Sequence, residues 1–259
     1  MSIAEKLQTV AENQQKVYDA GYAAGQSAGG DTDAAYQEGY DAGKQAYWDA
    51  MWDGIQNGGA RVDYSNAFGK YWNTENFKPK YDMTPTSGTQ MFNRFGGETI
   101  TDAPPVDLAG ILEQAGVRLD TSKIPNFANF FYYSSVGHIP EISVIGSKNK
   151  LIGIYGFCKK LVKIDKLILK DDGTDTFDGT FLQTTALIDI VIEGVIGNSI
   201  DLSYSPLNRA SIESVMNALS ATTTGTDATF NKTAVEEAFT TDEWNALVAT
   251  KPNWTVTLV

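Results

Sequence analysis

The residues able to do chemistry are few. His138 is the only histidine in 259 residues, and Cys158 is the only cysteine. Ser134 and Ser135 lie just upstream of His138 and suggest a nucleophile and its base. No G-x-S-x-G elbow surrounds either serine, and His138 falls in a turn just before a core aliphatic residue. Asp171-Asp172-Gly173-Thr174-Asp175 resembles part of a calcium loop. It lacks the D-x-D-x-D-G order and the glutamate at the twelfth position, and reads as a solvated turn. A single cysteine rules out a multi-cysteine zinc site, and a single histidine rules out a His-rich metal site. Gly21, Gly25, Gly39 and Gly43 follow no strand, so they form no dinucleotide fingerprint. No pair of carboxylates is singled out for glycosidase chemistry. The expectation is a chain without catalytic residues, bound metal or cofactor.

Bulk composition narrows the partners. Twenty basic residues stand against 32 acidic ones, a net charge of −12. Such a surface repels phosphate backbones, which argues against nucleic-acid binding. It also lacks the lysine and arginine clusters of an electrostatic membrane anchor, and no apolar run is long enough to span a bilayer. Met1 to Gly25 has neither the basic nor the apolar segment of a secretory signal. The expected location is therefore the cytoplasm of synthesis, or a particle assembled there.

Three regions organise the chain. Residues 1–57 read as helical. Ser2 and Glu5 fit a capping box, and Ile3, Leu7, Val10, Gln14, Val17, Gly21, Ala24 and Ala28 follow a 3.5-residue repeat, the period of a left-handed coiled coil. Tyr18-x-x-Gly21-Tyr22-x-x-Gly25 recurs as Tyr36-x-x-Gly39-Tyr40-x-x-Gly43 after a break at Gly29-Gly30. Such a thin seam implies partner chains, so residues 1–57 are read as an oligomerising stalk, with Tyr36, Tyr40 and Gly43 continuing the seam and a homotrimer favoured. Residues 58–103 form an aromatic-rich neck carrying Tyr64, Phe68, Tyr71 and Trp72. Residues 104–259 form the head.

The head has its own pattern. A helix is expected over 104–116, ended by a left-handed Gly116. One template then recurs three times: Tyr133, Val136, Ile139, Ile142; Tyr155, Cys158, Leu161, Ile164; and Phe181, Thr184, Leu187, Ile190. Each copy gives one short strand and one buried set, and stacking the copies makes a continuous core. Strands are expected near Ile142–Ile145, Lys163–Leu169 and Asp189–Glu193, with a degenerate fourth copy at Tyr204-x-x-Leu207. A helix over 208–219 follows, capped by Asn208. Residues 220–231 read as loop. Thr233-x-x-Glu236 and Thr240-x-x-Glu243 read as capping boxes, and Trp254–Val259 as a final strand. The fold class expected is α+β: a helical, coiled-coil-like stalk, then a short capped repeat solenoid.

The template residues, together with Phe77-Lys-Pro-Lys-Tyr-Asp-Met-Thr-Pro85, Ile164-Asp-Lys-Leu-Ile-Leu-Lys-Asp-Asp-Gly173, Val191-Ile-Glu-Gly-Val-Ile-Gly197 and Asn253-Trp-Thr, carry a resemblance. The chain resembles BspA-like leucine-rich-repeat proteins of the kind encoded near tail genes in prophages of gut Firmicutes. That resemblance implies a leucine-rich-repeat head on a virion protein of the tail, baseplate or fibre, presented to a host-surface glycan or protein. The N-terminal helices would hold other virion proteins. A bacterial surface adhesin, a glycan-degrading enzyme and an intracellular interaction scaffold are the alternatives.

Overall fold

The computed structural model describes residues 68, 74, 77–79, 82–86, 88–96, 104–145 and 151–259. The elements below belong to one compact unit, Asp63–Phe77 with Tyr81–Val259. Strand β1 (Val106–Asp107) runs into helix α1 (Leu108–Ala115), and strand β2 (Val136–Ile139) returns parallel to β1. Asp107 caps α1 by accepting from the Gly110 amide at 2.8 Å. Gly116 ends the helix in the left-handed region, φ 65°, where a side chain would be strained. Leu108, Ala109 and Leu112 form its buried face.

Strands β3 (Ile142–Ser143), β4 (Lys163–Ile168) and β5 (Asp189–Glu193) complete the first sheet. β2 and β3 lie end to end along β4, with Ile139 opposite Ile164 and Ile142 opposite Leu167. Pro140, which has no amide to donate, falls in the break between them. β5 pairs with the other edge of β4, and the register shifts between Ile164 and Leu167. That irregularity lets Ile164 and Leu167, three apart, both point inward from one strand. Helix α2 (Arg209–Ala218) packs on β5. Its Ser211 and Ser214 hydroxyls accept from the Ile190 and Ile192 amides at 2.9 and 2.8 Å. These bonds close the outer edge of β5 against other strands. Replacing both serines with alanine is expected to cost about 2 kcal/mol, near 1 for each lost bond. Urea unfolding midpoints measure this, and light scattering should report new association through the opened edge.

A second sheet holds β6 (Ile200–Leu202), β7 (Thr226–Phe230) and β8 (Trp254–Leu258) in that order. Helix α2 connects β6 to β7, and helices α3 (Lys232–Ala238) and α4 (Thr241–Ala249) connect β7 to β8. Ile200, Leu202, Ala228, Phe230 and Trp254 are buried in this sheet.

Tight turns fill the space behind the first sheet. Four of them share a signature, two left-handed residues four apart: Gln90 and Arg94, Asn129 and Tyr133, Gly153 and Phe157, Gly179 and Gln183. Backbone bonds link the turns in series: Phe92 to Phe130, Phe131 to Ile154, and Tyr155 to Thr180. Their central rings, Phe92, Phe131, Tyr155 and Phe181, are buried and stacked, with centroids 5.1, 5.9 and 5.5 Å apart. Phe68, Phe77 and Phe95 pack around Phe92. Ser134, Cys158 and Thr184 form a parallel ladder of small polar groups. Cys158 donates to the Phe131 carbonyl at 2.8 Å and Thr184 to the Phe181 carbonyl at 2.7 Å.

This architecture corrects the expected fold class. The described residues form a mostly parallel five-stranded sheet that curls like half a barrel, a second parallel sheet and four short helices. They do not form an α+β head built as a capped leucine-rich-repeat solenoid. The uniform three-residue spacing that suggested a solenoid arises from tight turns and from the β4 irregularity. Every strand pair among the described residues is parallel. The longest helix among them has ten residues, far short of a coiled-coil stalk. The stalk residues 1–57, including Ile3, Leu7, Val10, Gln14, Val17, Gly21, Tyr36, Tyr40 and Gly43, lie outside the described residues, as do Tyr64, Tyr71 and Trp72 of the neck.

The first template copy is also out of frame. Ile139 opposes Ile164, where the template aligned Ile142, and Phe131 occupies the ring position given to Tyr133. Ser134 stands where Val136 was placed. Segment 220–231 contains strand β7, and α3 is capped by Asn231, which puts Thr233 inside the helix.

Candidate functional site

The outward face of the first sheet gathers charged residues from four strands. Strand alternation turns Ile164, Ile190 and Ile192 inward and leaves their neighbours outside. The register sets Asp107 opposite His138, His138 opposite Lys163, and Lys163 opposite Asp189. The row therefore alternates carboxylate, imidazole, ammonium and carboxylate across the sheet. His138 Nδ1 lies 3.0 Å from Asp107 Oδ1, and its Nε2 lies 2.8 Å from Asp165 Oδ1. Lys163 Nζ reaches the same Asp165 oxygen at 3.0 Å. Partial burial pushes the Asp165 carboxyl up, but the bonds from His138 and Lys163 outweigh it and hold the group below the usual carboxylate range. The Asp165 hydrogen bond raises Lys163 in turn.

Asp107 does two jobs at once. The oxygen that faces His138 also caps helix α1. The imidazole is thus held between the start of a helix and the middle of the sheet. Beside it opens a cleft of about 730 Å³ between α1, β2 and the 118–121 segment, lined by His138, Asp165, Glu113, Arg118, Asp120 and Glu141 among others. Thr121 and Ser143 fix its floor through reciprocal bonds of 2.9 and 2.7 Å. The Asp120 carboxyl is held low, chiefly by the Ser122 side chain and amide. A second hollow, of about 510 Å³, lies near the opposite ends of β4 and β5, lined by Ile145, Lys170, Asp171 and Glu193.

Exposed apolar side chains accompany this sheet: Val191 on its outward face, and Val162 and Ile188 just before β4 and β5. Val162, Ile188 and Val191 are 44, 44 and 46% exposed. Val191 lies on β5 between Asp189 and Glu193, and Glu193 pairs with Lys166 at 3.2 Å.

The serines and histidine suspected of acting together do not meet. Ser134 accepts from the Val136 amide at 3.0 Å and donates to the Phe95 carbonyl at 3.3 Å. Ser135 is buried with its hydroxyl unpartnered, and the imidazole pairs with Asp107 and Asp165. The 171–175 loop is closed by its own bonds: Asp172 accepts from the Thr174 amide and hydroxyl at 3.1 and 2.8 Å, and Asp175 from the Lys170 amide at 3.2 Å. No group of three or more metal-ligating side chains occurs among the described residues. Cys158 is buried and its thiol pushed up to about 12 by desolvation, far from the thiolate form that reacts.

The other template residues are interior. Ile139, Ile142, Tyr155, Cys158, Leu161, Ile164, Phe181, Leu187 and Ile190 are all buried, whereas Tyr133 is half-buried and stacks on Phe157 at 4.6 Å. Asp107, Lys163, Asp165, Ile188 and Val191 were not singled out from sequence. Val191 had a signal: in Asp189-Ile-Val-Ile-Glu193 it stands where period-two alternation calls for a polar residue. No protein-family model, characterised protein or solved structure matches the chain.

Proposed function

We propose that this chain is a non-enzymatic recognition protein. Its working surface is the outward face of the first sheet with the two flanking hollows. The single observation that carries this reading is the exposure of Val191 on that face, beside the locked Lys166–Glu193 pair, with Val162 and Ile188 also exposed at the starts of β4 and β5. Aliphatic groups left in water gain from being covered, at about 25 cal/mol for each Å² removed. The paired charges around them set which partner fits. The resemblance to prophage tail-associated proteins supplies the setting: a virion component of the tail, baseplate or fibre that meets a glycan or protein on the host cell, carried as a homo-oligomer by its N-terminal segment. Several weak sites on one particle then combine into firm attachment.

The test uses purified full chain and cell envelopes of gut Firmicutes. Val191→Asp is expected to lower envelope retention at least tenfold while leaving the thermal midpoint unchanged, because the side chain is exposed. Equal retention of variant and parent overturns the surface assignment. Failure to find the chain in purified particles overturns the virion setting. Envelope binding without particle association identifies a surface adhesin, and neither property identifies an intracellular scaffold. Release of sugar from envelopes by the pure chain overturns the non-enzymatic reading.

A further inference from the structure

Among the described residues, the second sheet ends in an edge that no other strand pairs. β8 is the outer strand in the order β6-β7-β8 and is five residues long. A free strand edge presents unpaired N–H and C=O groups and is a template for another strand. The other outer strands in the described residues are short or capped. β1 has two residues and β6 three, while Ser211 and Ser214 close β5. Trp254-Thr-Val-Thr-Leu258 has no proline and no charge. Its register with β7 is unbroken from Trp254 opposite Thr226 to Leu258 opposite Phe230. The layer beneath it is thin: Val256 and Leu258 are only half-buried, and α4, which touches Phe230 through Trp244, has no buried residue.

We propose that β8 pairs antiparallel with β8 of a second copy of this chain, about a two-fold axis through Val256. The two three-stranded sheets then become one of six strands. Directly opposed residues of an antiparallel pair face the same side of the sheet. An axis at Val256 sets Trp254 opposite Leu258 and Thr255 opposite Thr257. The apolar row meets the apolar row and the threonine row meets the threonine row, so the strand is complementary to itself, as a two-fold interface requires. The strand is also uncharged in a chain of net charge −12, so identical copies meet where mutual repulsion is weakest. This pairing is independent of the host-surface reading.

The molar mass of the full chain, measured by multi-angle light scattering, tests the proposal. Thr255→Lys combined with Thr257→Lys sets like charge opposite like charge across the axis. Thr255→Lys combined with Thr257→Glu sets opposite charges there. Both threonines are exposed, so neither variant disturbs the core. The first variant is expected to have half the mass of the parent, and the second to recover the parent mass. Association through residues 1–57 is common to all three proteins, so a mass that falls in the first variant and returns in the second reports β8. Three equal masses overturn the proposal, including the case in which a foreign extended peptide is the natural partner of β8. Val256→Cys is further expected to cross-link into a dimer on mild oxidation, and its absence overturns the register.

Discussion

Replacing Tyr155 with alanine is expected to cost about 3–5 kcal/mol, whereas replacing it with phenylalanine is expected to add about 1–3. The two outcomes have separate causes. The Tyr155 ring is buried and stacks on Phe131 at 5.9 Å and on Phe181 at 5.5 Å, joining consecutive turns. Alanine removes both contacts and leaves a cavity that the turns cannot close, because backbone bonds fix their separation. A loss of this size is a large share of the 5–15 kcal/mol that holds a typical domain together. The hydroxyl is different. It is buried with no hydrogen-bond partner, and desolvation drives its ionisation upward. Phenylalanine keeps the ring and removes the stranded group. Urea unfolding of the three proteins measures both effects. A Tyr155→Phe variant weaker than the parent would show that the hydroxyl has a partner, and the burial argument would fail.

That tyrosine was singled out from sequence for its spacing, which gave one stacking neighbour, Phe181, and put Tyr133 where Phe131 stands. Local chemistry was readable where it acts over three or four residues. Asn208 caps α2 by accepting from the Ser211 amide, and Thr240 with Glu243 forms a complete capping box. Gly116 is left-handed, as its place after a helix required. Strands β4 and β5 were placed by the recurring template, and β8 by apolar alternation. β7 was missed because Thr226-Asp-Ala-Thr-Phe230 carries one large apolar residue, and parallel neighbours on both sides supply what propensity does not. The turn at 90–94 was missed because Gln90 and Arg94 are left-handed without being glycine or asparagine. Stacking on the next turn holds them there, and that is long-range information. The fold class failed for the same reason. A three-residue spacing is produced equally by a repeat and by a turn followed by an irregular strand, and only the pairing partners distinguish the two.

The candidate site was less readable than the fold. Asp107, His138, Lys163 and Asp189 are separated by 31, 25 and 26 positions, and no local rule links them. Parallel register brings them into one row. The row also commits its charged groups to one another. His138 is committed to Asp107 and Asp165, and Asp107 is committed to α1.

Asp175→Asn is expected to stabilise the protein at pH 7, because it removes a buried charge that one amide bond only partly offsets, and to have no such effect near pH 3. Asp175 is fully buried. One carboxyl oxygen accepts from the Lys170 amide, and the other has no partner. Burial raises its ionisation above the ordinary aspartate value of 3.8, with the Lys170 amide opposing. A raised acid favours the protonated form in the folded state. The folded protein is therefore unpenalised below the unfolded value of about 3.9. It loses stability as pH climbs toward the folded value, and above that the loss is constant. Asparagine can keep the bond to Lys170 through its side-chain oxygen and carries no charge to desolvate. Its advantage should grow through the same pH window in which the parent weakens. For a unit of this size each kcal/mol moves the thermal midpoint by about 2–4 °C, so melting curves of both proteins at pH 3 and pH 7 resolve the difference. A variant less stable than the parent at pH 7 would mean that the buried charge is favourable, and the absence of a second partner for Asp175 would no longer explain its environment.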